Sequence, residues 1–281
     1  MMNKSILFAF IFALLASDAA AQQELAIPDA KQRFYATWGY NRAYYNRSDI
    51  HFQGEGFDFT LKQVVATDVP EEWDAKVYLN PVMFTVPQFN FRLGYFLNDK
   101  VTISGGWDHM KYKLLGNQVV RIDGFIDPQV FEEDAGKYND ELFQVTPGFM
   151  AYEHSDGFNF VRIGLERREE FWHSNNEQFS ASVIPGISAG FMFPWTDFTF
   201  MGSRYRNWVH LSGWGVSGTL AARFEWRDLL FIQGQAQFGY SHMGDILLQN
   251  EASSRADQSI VFFERSLSLG AYIPIGKKQD S

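Results

Sequence analysis

A histidine beside a carboxylate or a hydroxyl is raw material for general-base catalysis and for metal binding, because imidazole exchanges protons near neutral pH. The sequence offers this in Gly106-Trp107-Asp108-His109 and again in Glu153-His154-Ser155-Asp156-Gly157. Asp108, His109, His154 and Ser155 are therefore the candidate catalytic residues. His173-Ser174-Asn175 is a weaker third instance, while His51, His210 and His242 fall at expected strand ends or in loops. Cysteine is absent, which excludes disulfides, thiol catalysis and cysteine-based metal sites. No glycine-rich phosphate loop occurs, and neither a metal site nor a cofactor is expected.

What those residues can do depends on the elements that carry them, and the dominant pattern is a period of two. Successive strand side chains point to opposite faces. Leu230, Ile232, Gly234, Ala236, Phe238 and Tyr240 alternate with Gln233, Gln235, Gln237, Gly239 and Ser241. Val216, Gly218, Leu220, Ala222, Phe224 and Trp226 alternate with Ser217, Thr219, Ala221, Arg223 and Glu225. The same rhythm runs through 34–41, 57–62, 89–95, 101–106, 143–149, 161–166, 181–193 and 266–275. On a regular strand Asp108 and His109 cannot both face one side. His154 and Ser155 diverge equally unless a bulge intervenes. The simpler reading of the histidines is as polar residues near strand ends.

Aromatic residues make up 17% of the chain, with 28 Phe, 12 Tyr and 8 Trp, yet the mean hydropathy is -0.22. A chain rich in aromatics but polar on average fits a membrane barrel, where only alternate residues touch lipid. The expected fold is all-β, a closed antiparallel transmembrane barrel of about 12 strands, with 10 as the next choice. Trp38, Trp172, Trp195, Trp208 and Trp226 fall where interfacial aromatic girdles belong. A soluble β-sandwich is the competing fold, disfavoured because the inward faces are too polar for a dry core.

Lys4, the apolar run Ile6 to Ala16, and Ala19-Ala20-Ala21 read as a secretory signal over 1–21. Residues 22–281 then form one barrel domain. The formal charge of -9 is unchanged by removal of the signal, and an acidic chain without a basic stripe argues against nucleic-acid binding. The outer membrane of a Gram-negative bacterium is the expected location. Its lipid and lipopolysaccharide are the expected partners, with the barrel-assembly machinery during biogenesis.

Loop lengths suggest an orientation. Asn98-Asp99-Lys100, Ser155-Asp156-Gly157, Pro194–Asp197 and Arg227-Asp228 read as short periplasmic turns. The stretches 46–56, 116–140, 174–178, 202–215 and 244–258 read as outer loops. An even strand number requires a short strand over Lys76–Met83. The proline-rich stretch Asp68–Pro87 could instead be a periplasmic or lumenal excursion. With this parity the lumen is lined by Lys62, Arg92, Asp108, Arg162, Glu166, Arg168, Arg223 and Glu225, together with Asp58, Glu170 and Glu264. A narrow lumen would be filled by ion pairs among them, and a wider one would be a weakly selective hydrated channel. Arg204-Tyr205-Arg206, in an outer loop, could meet polyanionic surface sugars.

Two resemblances follow from these segments. Phe34–Arg42, Ser48–Phe52, Phe57–Leu61, Pro87–Phe96, Asp108–Tyr112 and Glu153–Gly157 together resemble uncharacterised outer-membrane β-barrels of Bacteroidota-type bacteria. That likeness implies fold and location and brings no activity. Glu153–Gly157 also resembles the His-x-Ser-Asn-Gly motif of outer-membrane phospholipase A, a 12-stranded barrel in which His is the base and Ser the nucleophile. Here His154 and Ser155 are adjacent rather than two apart. The expectation is thus a non-enzymatic, porin-like barrel, either a narrow channel or a structural envelope component. A lipid- or lipopolysaccharide-modifying hydrolase is the alternative.

Overall fold

The alternating segments become strands that pair edge to edge until the sheet meets itself. In this computed structural model the described residues are 33–78, 80–129, 131–200, 202–248 and 254–274. The expected signal segment and Ile275 lie outside them. Eight strands form a closed antiparallel ring: β1 (Arg33–Tyr45), β5 (Phe89–Phe96), β6 (Val101–Leu114), β9 (Met150–Arg167), β11 (Phe179–Pro194), β14 (Gly213–Trp226), β15 (Leu230–Leu247) and β16 (Arg255–Pro274). Closure is made by β1 against β16, in continuous register from Arg33↔Pro274 to Tyr45↔Phe262.

The outward face of the ring is apolar. Trp38, Phe91, Leu93, Ile163, Ile187, Leu220, Phe238, Leu267 and Leu269 are all exposed. Their inward neighbours on the same strands, among them Thr37, Arg92, Arg162, Ser188, Gln237 and Ser268, are buried. A belt of exposed Leu, Ile and Phe around a closed ladder is what hydrocarbon demands, since every backbone N–H and C=O there must be paired internally. Trp38, Trp214 and Tyr240 edge the belt at one end, and Trp172, Phe179 and Trp226 at the other.

The ring accounts for half of the strands among the described residues. All but one of the others extend from one end of it as a head. There β2 (Ser48–Gly54) pairs with the start of β16 and continues through β3 (Phe57–Val64), β7 (Gln118–Ile126) and β8 (Gly136–Val145). β12 (Thr196–Phe200) pairs with the first residues of β9 and with β13 (Ser203–Asn207). β4 (Ala66–Thr67) pairs with the end of β6. β10 (Glu169–His173), by contrast, prolongs β9 along β11 at the opposite end. The barrel fold is as expected, but the ring closes with eight strands and the remaining alternating segments build the head. In β3, Phe57, Phe59 and Leu61 do share a face, but they pack into the head core instead of facing lipid.

Several turn assignments change. Ser155-Asp156-Gly157 is not a turn: it lies inside β9, where the register against β6 shifts between Met110 and Tyr112. The Pro194–Asp197 connection sits at the head end. The 174–178 loop sits at the opposite end with 97–100 and 227–229, because β9 runs unbroken through 155–157 and β10 continues it along β11 before the chain reverses. Lys76–Met83 is not a strand. Ala75–Tyr78 is one helical turn and Pro81–Met83 a 3-10 turn capped by Asn80, whose Oδ1 accepts from Val82 N at 3.0 Å. This segment lies outside the ring, with Phe84 against Trp38 and Trp107 of the outward face.

The distinction between belt and head is testable. Leu220→Arg, in the middle of β14, should lower the unfolding free energy in lipid bilayers by about 2–4 kcal/mol. Val119→Arg, an equally exposed apolar position on head strand β7, should change it by no more than about 0.5 kcal/mol. Urea titration of the two variants in the same vesicles makes the comparison.

Candidate functional site

The barrel interior is where the charged residues converge. Asp108 is completely buried at its centre. Its Oδ1 accepts from Asn90 Nδ2 at 2.5 Å and from the Arg92 guanidinium, and its Oδ2 accepts from Arg162 Nε at 2.8 Å and Gln237 Nε2 at 3.1 Å. The Asn90 amide also donates to Glu264 Oε1 at 2.6 Å. β5, β9 and β15 thus aim polar side chains at the one carboxylate that β6 carries, and Glu264 of β16 joins them through Asn90. Two acids and two arginines occupy the layer, and both arginines pair with Asp108. An enclosed ion pair survives only when its partners and remaining hydrogen bonds are supplied by the surroundings.

A second layer lies toward the turns. Glu166 accepts from Tyr35 OH at 2.5 Å and from Ser104 Oγ at 3.0 Å. Below it, Arg223 donates from Nε to Gln233 Oε1 and from Nη1 to Tyr272 OH, both at 2.8 Å. Its guanidinium lies 4.0 Å from the centre of the Phe231 ring and 4.9 Å from that of Tyr35. Tyr35, Phe96, Phe231 and Tyr272 pack in T-shaped and tilted pairs across the interior, with ring centres 4.9–6.1 Å apart. Closest to the turns, Arg168 Nε lies 3.0 Å from Glu225 Oε1 and donates to Ser182 Oγ at 3.1 Å, and Arg168 Nη2 donates to Glu170 Oε2 at 2.8 Å.

The opposite mouth is sealed by apolar side chains. Ala43, Met110, Phe158, Phe160, Met192, Met243 and Phe262 are buried there in one cluster with the core of the head. That core is aromatic. Phe52 lies 5.3 Å from Phe59 and 5.9 Å from Phe198 between ring centres, and Phe149 lies 5.6 Å from Phe200. The interior is therefore closed by an apolar lid, a charged layer and an aromatic layer in series.

The sequence-derived positions sort as follows. Arg92, Asp108, Arg162, Glu166, Arg168, Arg223, Glu225 and Glu264 face the ring interior. Lys62 does not: it is on head strand β3, where its Nζ lies 3.2 Å from Asp123 and 3.1 Å from Asp140. Asp58, on the same face, is exposed and pairs with His51 at 2.8 Å. Both depart from the expected lining because the apolar face of β3 turns into the head core and its polar face into water.

Asp108 and His109 part company across the sheet, as a regular strand requires. His109 lies on the outward face, its Nδ1 2.7 Å from Asn159 Oδ1 and its ring stacked on Phe89 at 4.9 Å. Gly157 makes this possible: with φ of +155°, it leaves room where a Cβ would stand 2.8 Å from His109 Cε1 and 2.5 Å from Asn159 Nδ2. His154 does not engage Ser155. Its Nε2 meets Tyr152 OH at 3.1 Å and its Nδ1 meets Thr196 Oγ1 at 3.2 Å, inside the head core and away from the membrane belt. A base bonded in this way to Tyr152 and Thr196 does not activate its neighbour. Burial pushes the His154 imidazole down to about 3. Arg204 and Arg206 both bond Asp197, at 2.8 and 2.9 Å, and the Arg204 hydrogen bonds hold that carboxyl below its ordinary range.

The partners of Asp108 were not visible as a motif. Asn90 and Gln237 come from two other strands, Glu264 joins through Asn90 from a third, and Gln237 lies 129 residues away in the chain. The only signal they carry is parity, as polar residues on the inward side of alternating strands.

No protein-family model matches the chain, and no curated protein matches it. Among solved structures it is similar to the attachment invasion locus protein Ail of Yersinia pestis (11% identity, TM-score 0.34, 86% of this chain and 99% of that one). It is similar also to outer membrane protein OprG from Pseudomonas aeruginosa (10%, 0.39, 87% and 97%) and to outer membrane protein AlkL solved in DMPC bilayers (8%, 0.42, 89% and 94%). The fold assignment itself rests on the strand pairing described above.

Two outcomes follow from the interior and the head. Asp108→Ala leaves Arg92 and Arg162 buried without a counter-charge and should cost about 3–5 kcal/mol in urea unfolding. His154 contributes a pH dependence of defined sign. Its folded pKa lies below the ordinary 6.5, so the unfolded chain binds the extra proton. Stability is full above pH 6.5 and falls as the pH drops from there toward 3. His154→Gln should flatten that slope relative to wild type in parallel unfolding titrations at pH 7, 6, 5 and 4.

Proposed function

We propose that this chain is an integral outer-membrane β-barrel protein of structural type, a closed barrel that holds a rigid β head at the cell surface. The short 97–100 and 227–229 turns face the periplasm and the head faces outward, following the usual asymmetry of loop length. One observation carries the reading: the inward side chains bond to one another across the interior from Arg168 to Asp108 and are roofed by Phe158, Phe160 and Phe262. An eight-stranded ring has an interior that side chains fill, and here they fill it with ion pairs, hydrogen bonds and aromatic rings.

Of the two lumen pictures, ion-paired packing is therefore preferred to a hydrated channel. A hydrolase finds less support, because His154 is bonded to Tyr152 and Thr196 within a hydrophobic core. The barrel serves as the anchor, and the exposed, largely polar face of the head, such as that of β8, is the surface presented to the surroundings.

Planar-bilayer recording of the refolded protein tests this. Folded protein should insert without producing discrete conductance steps at moderate voltage. Reproducible ion-selective steps from the same folded material would show an open path and contradict the reading.

A further inference from the structure

The lipid-facing surface carries one feature that an apolar belt does not account for. Arg42 on β1 and Arg265 on β16 are direct partners in the register that closes the ring. Their neighbours Asn41, Ala43 and Glu264 are buried inside, so both arginines point outward. They sit between two apolar pairs of the same ladder, Tyr44↔Phe263 on the head side and Tyr40↔Leu267 on the turn side.

Like charges directly opposite one another destabilise a sheet, and a charge facing the lipid is disfavoured without a counter-ion. Among the described residues neither arginine forms an ion pair. Arg42 Nη1 donates to the carbonyl of Asn41 at 2.7 Å, and the Arg265 guanidinium lies 5.7 Å from the centre of the Tyr44 ring. Asp68 lies near enough to feel the charge of Arg42, but its carboxylate already accepts from Ala43 N at 3.3 Å and Gln88 Nε2 at 2.5 Å.

The neighbouring strand is shaped to receive a chain. Ala236 of β15 stands opposite Arg265 and Gly234 opposite Leu267, both exposed. A Cβ on Gly234 would meet nothing within 4 Å. The open strip continues toward the turns into an apolar groove walled by Phe224, Ile232 and Leu269.

We infer that Arg42 and Arg265 together hold the phosphate of an acylated lipid in the leaflet next to the head, one acyl chain of which runs over Ala236 and Gly234 into that groove. Two guanidinium groups present forked donors that match phosphate oxygens. An anion between them turns the repulsion into two attractions. The occupant is a lipid, not free phosphate, because the cations are continuous with the apolar belt. This rests on the reading of the chain as a membrane-inserted barrel.

The test uses full-length protein in phosphatidylcholine nanodiscs doped with diphosphorylated lipid A, with phosphatidylglycerol, or with dephosphorylated lipid A. Native mass spectrometry reads the lipid retained after extraction. Wild type should retain a net-anionic phosphate lipid, lipid A or phosphatidylglycerol, about tenfold over phosphatidylcholine, whose phosphate carries its own ammonium counter-charge, at equal mole fraction. The double variant R42Q/R265Q should fall to the phosphatidylcholine level, while R42K/R265K, which keeps both charges, should keep most of the preference. Whether lipid A or phosphatidylglycerol is retained more strongly identifies the lipid. Undiminished retention by R42Q/R265Q, equal retention of dephosphorylated lipid A, or release by millimolar inorganic phosphate would each overturn the inference. Failure of wild type to insert into the nanodiscs would instead count against the membrane-barrel reading.

Discussion

A backbone in hydrocarbon has no water to bond, so each of its N–H and C=O groups must find a partner within the protein. In this chain that requirement is met by the register of β1 on β16, thirteen residue pairs that join the first described strand to the last. The rest follows from closing the ring at eight. A ring of that size encloses a space about as wide as the side chains that point into it. Inward positions cannot all be apolar without inviting the sheet to turn inside out, and cannot be charged without partners. The solution is a ladder of matched groups, in which Asp108 receives two arginines, an asparagine and a glutamine.

The head obeys the opposite solvent logic with the same period of two. Its strands lie beyond the girdle, where water satisfies edges and polar faces, so the apolar face turns inward. Phe52, Phe59, Phe149, Phe198 and Phe200 form that core, and it runs without a break into Phe158, Phe160 and Phe262 at the barrel mouth. Barrel and head therefore share one hydrophobic cluster. The buried, neutral His154 belongs to the shared region, which ties the integrity of the lid to the head's own stability.

Much of this was legible in the residue order. The outward and inward faces of β1, β5, β11, β14, β15 and the end of β16 follow the alternation, and parity alone separates Asp108 from His109. Periodicity does not say what lies beyond a face, however. Phe57, Phe59 and Leu61 read as lipid-facing because an apolar face looks the same against lipid or against a core, and Lys62 and Asp58 were carried into the lumen with them. The ring size was hidden for the same reason. Ser155-Asp156-Gly157 looked like a turn because turns and strand bulges both favour such residues. The 174–178 loop depends on the same residues: a turn at 155–157 would reverse the chain and put the loop at the head end, whereas β9 runs through them to the side of 97–100 and 227–229. The convergence on Asp108 could be read from parity only as a set of inward polar residues, because its partners are brought together by ring closure.

The claim on which the account turns is that the interior is a dry, ion-paired core. Water-edited solid-state NMR of the protein in lipid bilayers measures it most directly, by following magnetisation from mobile water to individual side chains. The account predicts transfer to the Asp108 carboxyl, the Arg162 guanidinium and the Gln237 amide that is much slower than to exposed head residues such as Asp58, together with a close Asp108–Arg162 contact. Rapid transfer to all three interior groups, without that contact, would mean a water-filled lumen and would contradict it.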